Sequence, residues 1–314
     1  MNIAIIGAGM AGLSCATRLR AQDHDVILFD KGRGPGGRMA TRRAEIDGNT
    51  LHFDHGAQYF TVSDNGFAEI VSQWEADDVV AQWPVAKEGA WVGTPGMNAP
   101  VKAMAAELDV RFGVEIEAFG RSGTGWRFDG DGTPETVFDA VLVAVPAEQA
   151  AVLLGPHSPQ MAETAKSSVS LPCWAVMAAF ATPLDHEDII RDAGAIGWAA
   201  RNSAKPGRSN KGGLDCWVVQ ASPDWSREHL DDDGETIATL LLEELGNQTD
   251  ITMPEAVHSA AHRWLYAESG STAQKALWNA DACLGACGDW LIGPRVEAAF
   301  VSGVTLADTI LTTG

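Results

Sequence analysis

Residues 3–12 read Ile3-Ala4-Ile5-Ile6-Gly7-Ala8-Gly9-Met10-Ala11-Gly12, an apolar run passing straight into a Gly-x-Gly-x-x-Gly turn. The glycine spacing alone is weak evidence, and its flanks give it meaning. The residues before it form a β-branched strand. After it, Leu13-Ser14-Cys15-Ala16-Thr17-Arg18-Leu19 spaces Leu13, Ala16 and Leu19 along one side of a helix. A second apolar strand, Val26-Ile27-Leu28-Phe29, ends on Asp30, 18 residues after Gly12. Gly7 permits the tight turn, Gly9 lets the backbone approach a pyrophosphate, and Gly12 lets helix and strand pack closely. The first helical turn, Met10 and Ala11, offers free N–H groups to phosphates. Asp30 sits where a carboxylate accepts hydrogen bonds from ribose hydroxyls. The spacing predicts a dinucleotide-binding N-terminus.

The next stretch, Lys31-Gly32-Arg33-Gly34-Pro35-Gly36-Gly37-Arg38-Met39-Ala40-Thr41-Arg42-Arg43, is too rich in glycine for a helix. It is also too basic for an ordinary solvated loop in so acidic a chain. Gly36-Gly37-Arg38 supplies flexible backbone and a guanidinium near the same phosphates, with Lys31 and Met39 in the same arm. A nicotinamide dehydrogenase would be expected to enter a second βαβ crossover here. A Gly-Gly-Arg arm directly after the ribose carboxylate instead resembles the flavin amine-oxidase and related families, whose cofactor is FAD. The alternative, a surface turn with its arginines in solvent, stays open, for Arg43 above all.

The chain has 314 residues, enough for one large domain or two interleaved ones. With 22 Lys and Arg against 42 Asp and Glu its formal charge is −20, which argues against nucleic acid or an anionic membrane surface as partner. The five cysteines (Cys15, Cys173, Cys216, Cys283, Cys287) are odd in number and scattered, so a secreted disulfide framework is not expected. The apolar N-terminus lacks a basic leader and is accounted for by the first strand. No uninterrupted apolar run approaches the roughly 20 residues of a membrane span. The expectation is a soluble, cytoplasmic protein.

Residues 64–74 and 97–108 carry helical spacing, the latter with Val101, Met104, Ala105 and Leu108 on one side. Residues 110–116 read as a strand, with Val114 expected beside the cofactor. Residues 120–125 read as a hairpin turn; Gly123-Thr124-Gly125 lacks the strand-then-helix context of a second nucleotide turn. Residues 138–146 have the pattern of a buried parallel strand returning to the sheet. Residues 174–180 and 216–221 are predicted strands of a second sheet, and 237–245 a helix with Ile237, Leu240, Leu241 and Leu245 inward. The last element, 296–311, places Val296, Phe300, Val304, Ala307 and Leu311 along one helical face. The predicted fold class is α/β. A Rossmann-type FAD-binding domain (1–50, 96–160 and 280–314) interleaves with a smaller α+β substrate-binding domain (51–95 and 161–279). Nine of the eleven tryptophans lie in the substrate segments, where they are expected to line a slot for flat rings, although packing is the commoner role of any single one.

Asp54-His55-Gly56-Ala57-Gln58-Tyr59-Phe60 follows the basic arm. Gly56 and Ala57 let backbone pass close to a planar ligand, while His55, Gln58 and Tyr59 offer hydrogen-bonding groups. Gly288-Asp289 ends a strand, and its carboxylate suits ribityl or pyrophosphate-side hydroxyls. The final helix, from Val296, would turn the positive end of its dipole toward the cofactor. In Ala261-His262-Arg263-Trp264-Leu265-Tyr266, alternation puts His262, Trp264 and Tyr266 on one face. His262 is either a group that orients substrate or a structural histidine. Cys-x-x-Cys is absent, and Cys283 and Cys287 read as core thiols. No His/Cys/carboxylate spacing suggests a metal site.

Residues 38–42 of the arm, the 54–60 cluster, His262-Arg263-Trp264 and Gly288-Asp289 together resemble the renalase family of the flavin amine-oxidase-like superfamily. The motifs span most of the chain in the same order. The resemblance implies noncovalent FAD and a two-domain fold like that of p-hydroxybenzoate hydroxylase. It also implies oxidation of the 2- and 6-dihydro isomers of NAD(P)H to NAD(P)+, with O2 reduced to hydrogen peroxide. His262, Trp264, Tyr59 and Gln58 are the residues expected at the substrate. The chain departs from the pattern at Leu265, where a second basic residue is expected. Hydride transfer needs an oriented donor and a dry slot more than a strong base. Residues 174–180 also lack the lysine that amine oxidases place near the flavin. Two other readings stand: a flavin oxidoreductase acting on an apolar or amine substrate, and a non-catalytic FAD-binding protein.

Overall fold

The computed structural model describes residues 1–46, 48–129, 132–208 and 211–313. The apolar run at the N-terminus becomes the strand Asn2–Ile6, which lies between Asp25–Asp30 and Ala140–Val143 and is parallel to both. Ile5 faces Leu28 on one side and Leu142 on the other. Asp109–Phe112 and Leu284–Ala286 extend the parallel sheet outward, and Leu277–Asn279 closes one edge antiparallel, making six strands. Ile3, Ala4, Ile5 and the whole of Ala140–Val143 are fully buried. That is why these strands are continuously apolar rather than alternating. The strand expected over 110–116 stops at Phe112 because Gly113 turns the chain at φ +74° and the Val114 N–H bonds back to the Asp30 carbonyl at 3.1 Å.

The helix Met10–Arg20 packs against the final helix, Val296–Thr313. Their backbones meet at Gly303, where a Cβ would lie 2.1 Å from the Ala11 carbonyl oxygen. The Ser14 hydroxyl donates to the Phe300 carbonyl at 3.1 Å beside it. This small-residue contact sets the rotation of the final helix. Its buried side runs through Phe300, Gly303, Leu306, Ala307 and Ile310, and Val296, Val304 and Leu311 of the predicted face are only partly covered. The helix also reaches a mean hydropathy of 1.2 over 18 residues, apolar enough by length and composition to cross a membrane, and half of it is buried in the fold.

Asn65–Ala76 begins at Asp64, whose carboxylate accepts the Phe67 N–H at 3.0 Å. Phe67, Val71 and Trp74 belong to the core of Leu13 and Phe300, with the Phe67 and Phe300 rings 5.0 Å apart. This helix, expected in the substrate domain, therefore packs on the nucleotide-binding layer.

The second sheet is antiparallel, in the order Ile189–Ala193, Ile196–Arg201, Asp215–Ala221, Leu171–Phe180, Ala256–Glu268. The helix Gly234–Thr249 covers one face with Ile237, Leu241 and Leu245 against Trp217 and Val219. The hairpin of Thr41–Ile46 and Asn49–Asp54 covers the other, through Leu51 and Phe53 on Met177 and Val218.

Candidate active site

A cleft of about 1980 Å³ is lined by the Gly7–Gly12 turn and by Trp198, Gln220, His262 and Trp264 of the second sheet. Ligand pockets commonly occupy about 300–1,000 Å³, so there is room for a cofactor and a second molecule. At one end the glycines divide by role. A Cβ on Gly7 (φ +105°) would lie 2.4 Å from the Ala144 carbonyl oxygen, and one on Gly12 2.0 Å from that of Gly7. Gly9 meets nothing within 4 Å, so its open side is the cleft itself. No side chain caps the helix at Gly9, and Met10 and Ala11 line the cleft with its positive end. The Asp30 carboxylate is pinned by the Ala8 N–H (2.8 Å) and the Gly32 N–H (2.7 Å), and Val114 lies beside it. Lys31 turns to the exposed rim, 3.1 Å from Glu115.

The arm folds into a short turn over Gly37–Met39, with Gly37 at φ +51° and Met39 buried beneath it. Gly36 packs on Ala40. Sequence reasoning assigned Arg38 to phosphates and Asp289 to hydroxyls as separate contacts. They instead meet each other, fork to fork, at 2.7 and 2.5 Å. Asp289 is nearly inaccessible in this pair, while Arg38 keeps 31% of its side chain exposed on the cleft side. The pair joins the arm to Gly288, at the end of the last parallel strand.

The His55–Gln58 loop is zipped to the arm. The Ala57 N–H donates to the Arg38 carbonyl at 2.8 Å, and a Cβ on Gly56 would lie 2.0 Å from the same oxygen. From the second sheet, Gln220 donates to the Gly56 carbonyl (2.7 Å) and the Trp264 indole to that of His55 (2.8 Å). Behind the loop lies a group that sequence reasoning missed. Asp54 is wholly buried and accepts from the Thr41 hydroxyl (2.8 Å), the Met97 N–H (2.9 Å), Lys205 (3.4 Å) and Arg208. Burial pushes the Asp54 carboxyl up, but Lys205 and Arg208 overcome it and hold the group at about 2. Burial pulls the Lys205 ammonium down to about 8 against the opposing pull of Asp54.

Gln58 belongs to this group, which corrects its expected role at the substrate. Its amide donates to the Asp54 carbonyl (2.6 Å) and the Gly56 carbonyl (3.0 Å), and its oxygen accepts from Lys205 (2.9 Å). With both ends of the amide engaged, Gln58 braces the loop.

His262 and Trp264 both line the cleft, and the structure brings His55 to them. The His55 ring lies 4.9 Å from His262 and 5.1 Å from Trp264, and the His262 and Trp264 rings are 4.4 Å apart. Burial, then His262 and Arg42, lowers the His55 imidazole to about 4, and burial and Arg42 lower that of His262. Both rings are neutral near pH 7. Tyr59 stands 5.5 Å from Trp198. The Trp198 indole N–H and His55 Nδ1 are buried without a hydrogen-bond partner. Of the nine tryptophans expected around a slot, only Trp198 and Trp264 line the cleft, while Trp74, Trp83, Trp174 and Trp217 are core. Arg263 lies on the opposite face, over the Trp174 ring at 5.7 Å.

The final helix starts at the cleft with Val296, and the Glu297 side chain beside it is engaged by the loop before the helix Asn65–Ala76. Its carboxylate accepts from the Ser63 N–H (2.5 Å), the Ser63 hydroxyl (2.6 Å) and the Asp64 N–H (2.7 Å). All five cysteines are free thiols, and among the described residues no group of His, Cys, Asp or Glu is placed to hold a metal.

Residues 85–311 match the flavin containing amine oxidoreductase family, and residues 5–74 match an NAD(P)-binding Rossmann-like domain. The chain belongs to the flavin containing amine oxidoreductase family. The cofactor is FAD, and the residues present fit it: Gly9 open to the cleft, an uncapped helix start, and a pinned carboxylate at Asp30.

Among solved structures, a chain from Exiguobacterium sp. 255-15, provisionally assigned as a protoporphyrinogen oxidase, superposes with a TM-score of 0.74 at 13% identity, covering 100% of this chain and 99% of that one. Cyclohexylamine oxidase from Brevibacterium oxydans IH-35A gives 0.66 at 11% identity, covering 99% of each. Such identities show the shared fold. A 4,4'-diapophytoene desaturase (4,4'-diaponeurosporene-forming) of Staphylococcus aureus (strain Newman) is 46% identical over 56 residues, 18% of this chain. The match spans 10% of that relative's length.

Proposed function

We propose that this protein oxidises the 2- and 6-dihydro isomers of NAD(P)H to NAD(P)+, as its resemblance to the renalase family implies. In balanced form, one dihydronicotinamide, one O2 and one proton give one oxidised nicotinamide and one H2O2. Bound FAD supplies a two-electron acceptor that O2 can regenerate. The chain's residues then have three tasks: to hold a flat ring, keep water from it and leave its C–H bond facing the cofactor.

The observation that carries this reading is the cluster of His55, His262 and Trp264, three rings within 5.1 Å of one another with both imidazoles held neutral. Such a wall can stack and orient a ring, and hydride transfer asks for an oriented donor more than for a strong base. The one charged group that lowers the His262 imidazole is Arg42. A cation beside the ring wall is compatible with an anionic dinucleotide. A second reading, a flavin oxidoreductase of apolar substrates, draws support from Val152 and Leu265, exposed apolar residues that line the same cleft.

Anaerobic mixing of the yellow holoenzyme with each donor class separates them. Rapid bleaching of the flavin band by the isomeric dihydronicotinamides, and none by primary amines or polyenes, is expected. Bleaching by amines or polyenes alone would overturn the proposal.

A further inference from the structure

Away from the Gly7–Gly12 turn the cleft carries a second group of cationic and amide side chains. We infer that the cleft carries its own anion subsite, built by Arg43, Asn98 and Lys102, which takes the pyrophosphate of a dinucleotide substrate. This rests on the substrate class proposed above.

Thr41, Arg43, Gly96, Asn98 and Lys102 line one sector of the cleft, and Lys87 adds a further cation to its lining. Thr41 and Arg43 are two residues apart on one strand and so share a face. Gly96 is packed on the Thr41 hydroxyl, which would lie 2.8 Å from a Cβ there, and the Asn98 N–H donates to that hydroxyl at 3.3 Å. Lys102 stands one helical turn beyond, its N–H donating to the Asn98 carbonyl at 3.0 Å. These residues are therefore neighbours in space, although they come from two separate segments.

Three features point to an anionic ligand. Asn98 is 8% exposed and sits at the start of the helix Ala99–Ala106, its side chain does not cap that helix, and it borders the cleft. An amide so placed keeps hydrogen-bonding capacity for a ligand in the cleft. Arg43 and Lys102 are exposed and form no ion pair among the described residues, in a chain with 42 acidic residues against 22 basic ones. The start of the helix adds partial positive charge beside Asn98. The Gly7–Gly12 turn is open to the cofactor's phosphates and Arg38 is already paired with Asp289, so this cluster is left for a second molecule.

The test uses oxidised holoenzyme and reads ligand binding from perturbation of the flavin spectrum, with calorimetry as a second readout. The probes are ADP-ribose, inorganic pyrophosphate and nicotinamide riboside, which lacks the pyrophosphate. Lys102→Gln and Arg43→Gln are each expected to weaken ADP-ribose about tenfold, leaving riboside binding and FAD content unchanged. Asn98→Ala should weaken it less, and salt should weaken the parent more than either charge variant. Unchanged ADP-ribose affinity, equal weakening of the riboside, or loss of FAD from the variants would overturn the subsite. Pyrophosphate binding as tightly as ADP-ribose would mark a free-anion site and overturn the dinucleotide assignment. If ADP-ribose behaves as expected while no dihydronicotinamide bleaches the flavin, the subsite stands and the proposed reaction falls.

Discussion

Replacing Asp54 with Asn removes one charge from a group with almost no access to water and leaves Lys205 and Arg208 facing each other behind the cofactor loop. The magnitude can be worked from two sides. Lowering of the Asp54 carboxyl from 3.8 to about 2 corresponds to about 2 kcal/mol of favourable interaction surviving its burial. Removing one partner of a buried pair typically costs about 3–5 kcal/mol, because the remaining charge is uncompensated. Unfolding entropy of roughly 2.1 cal/mol/K per residue over 314 residues gives about 0.7 kcal/mol/K, so Asp54→Asn should lower Tm by about 3–8 °C. The sign with pH is also fixed. Lys205 is held near 8 in the parent against 10.5 ordinarily, and loss of the Asp54 charge lowers it further, so in the variant it sheds its proton as pH rises toward 8 and the deficit should shrink by pH 9. Calorimetry of parent and variant at pH 7 and pH 9 measures both effects. A Tm within about 2 °C of the parent at pH 7, with FAD affinity intact, would refute the idea that this cluster holds the His55–Gln58 loop.

Gly9 and Gly12 should fail differently: Gly9→Val leaves Tm of the apoprotein near the parent's and abolishes FAD retention, whereas Gly12→Ala, driven into the Gly7 carbonyl, lowers Tm itself. A fully yellow Gly9→Val preparation would show that the turn does not face the cofactor. His262→Ala should slow anaerobic flavin reduction about 10–100-fold with FAD content unchanged, and an unaltered rate would make His262 structural. His55 is lowered to about 4 in the fold from 6.5, so its stabilising contribution is present above pH 6.5 and lost as pH falls toward 4. His55→Phe should flatten the fall of Tm over that window by an amount equivalent to about 3 kcal/mol, and parallel Tm–pH curves would contradict the assignment.

Much of the fold was legible because its signals are local. The run from Ile3 to Gly12, the strand ending on Asp30 and the apolar stretch before Pro146 each carry period and punctuation within about a dozen residues. The site was legible only where one segment supplies a whole motif, as in Gly7–Gly12, Gly56-Ala57 or the alternation of His262 and Trp264. Arg38 and Asp289 were each singled out, but their bidentate pairing across 251 positions leaves no trace in either neighbourhood. Nothing local to Lys205-Pro206-Gly207-Arg208 marks it as the segment that closes on Asp54, 151 and 154 positions away. Gln58 was misjudged for the same reason: its partner is Lys205, 147 residues away. The tryptophans misled because composition says how much aromatic surface a segment has, and not which way it faces. The face of the final helix was off because contact between Gly303 and Ala11, rather than its largest side chains, sets its rotation.

The most direct measurement is a single anaerobic turnover, with one equivalent of 6-dihydro-NAD(P) mixed with holoenzyme and the nicotinamide products quantified against flavin bleached. One NAD(P)+ formed per flavin reduced, followed on admission of air by one H2O2 and return of the yellow colour, is the predicted result. Flavin that stays oxidised, or bleaches without any NAD(P)+ being formed, would contradict it.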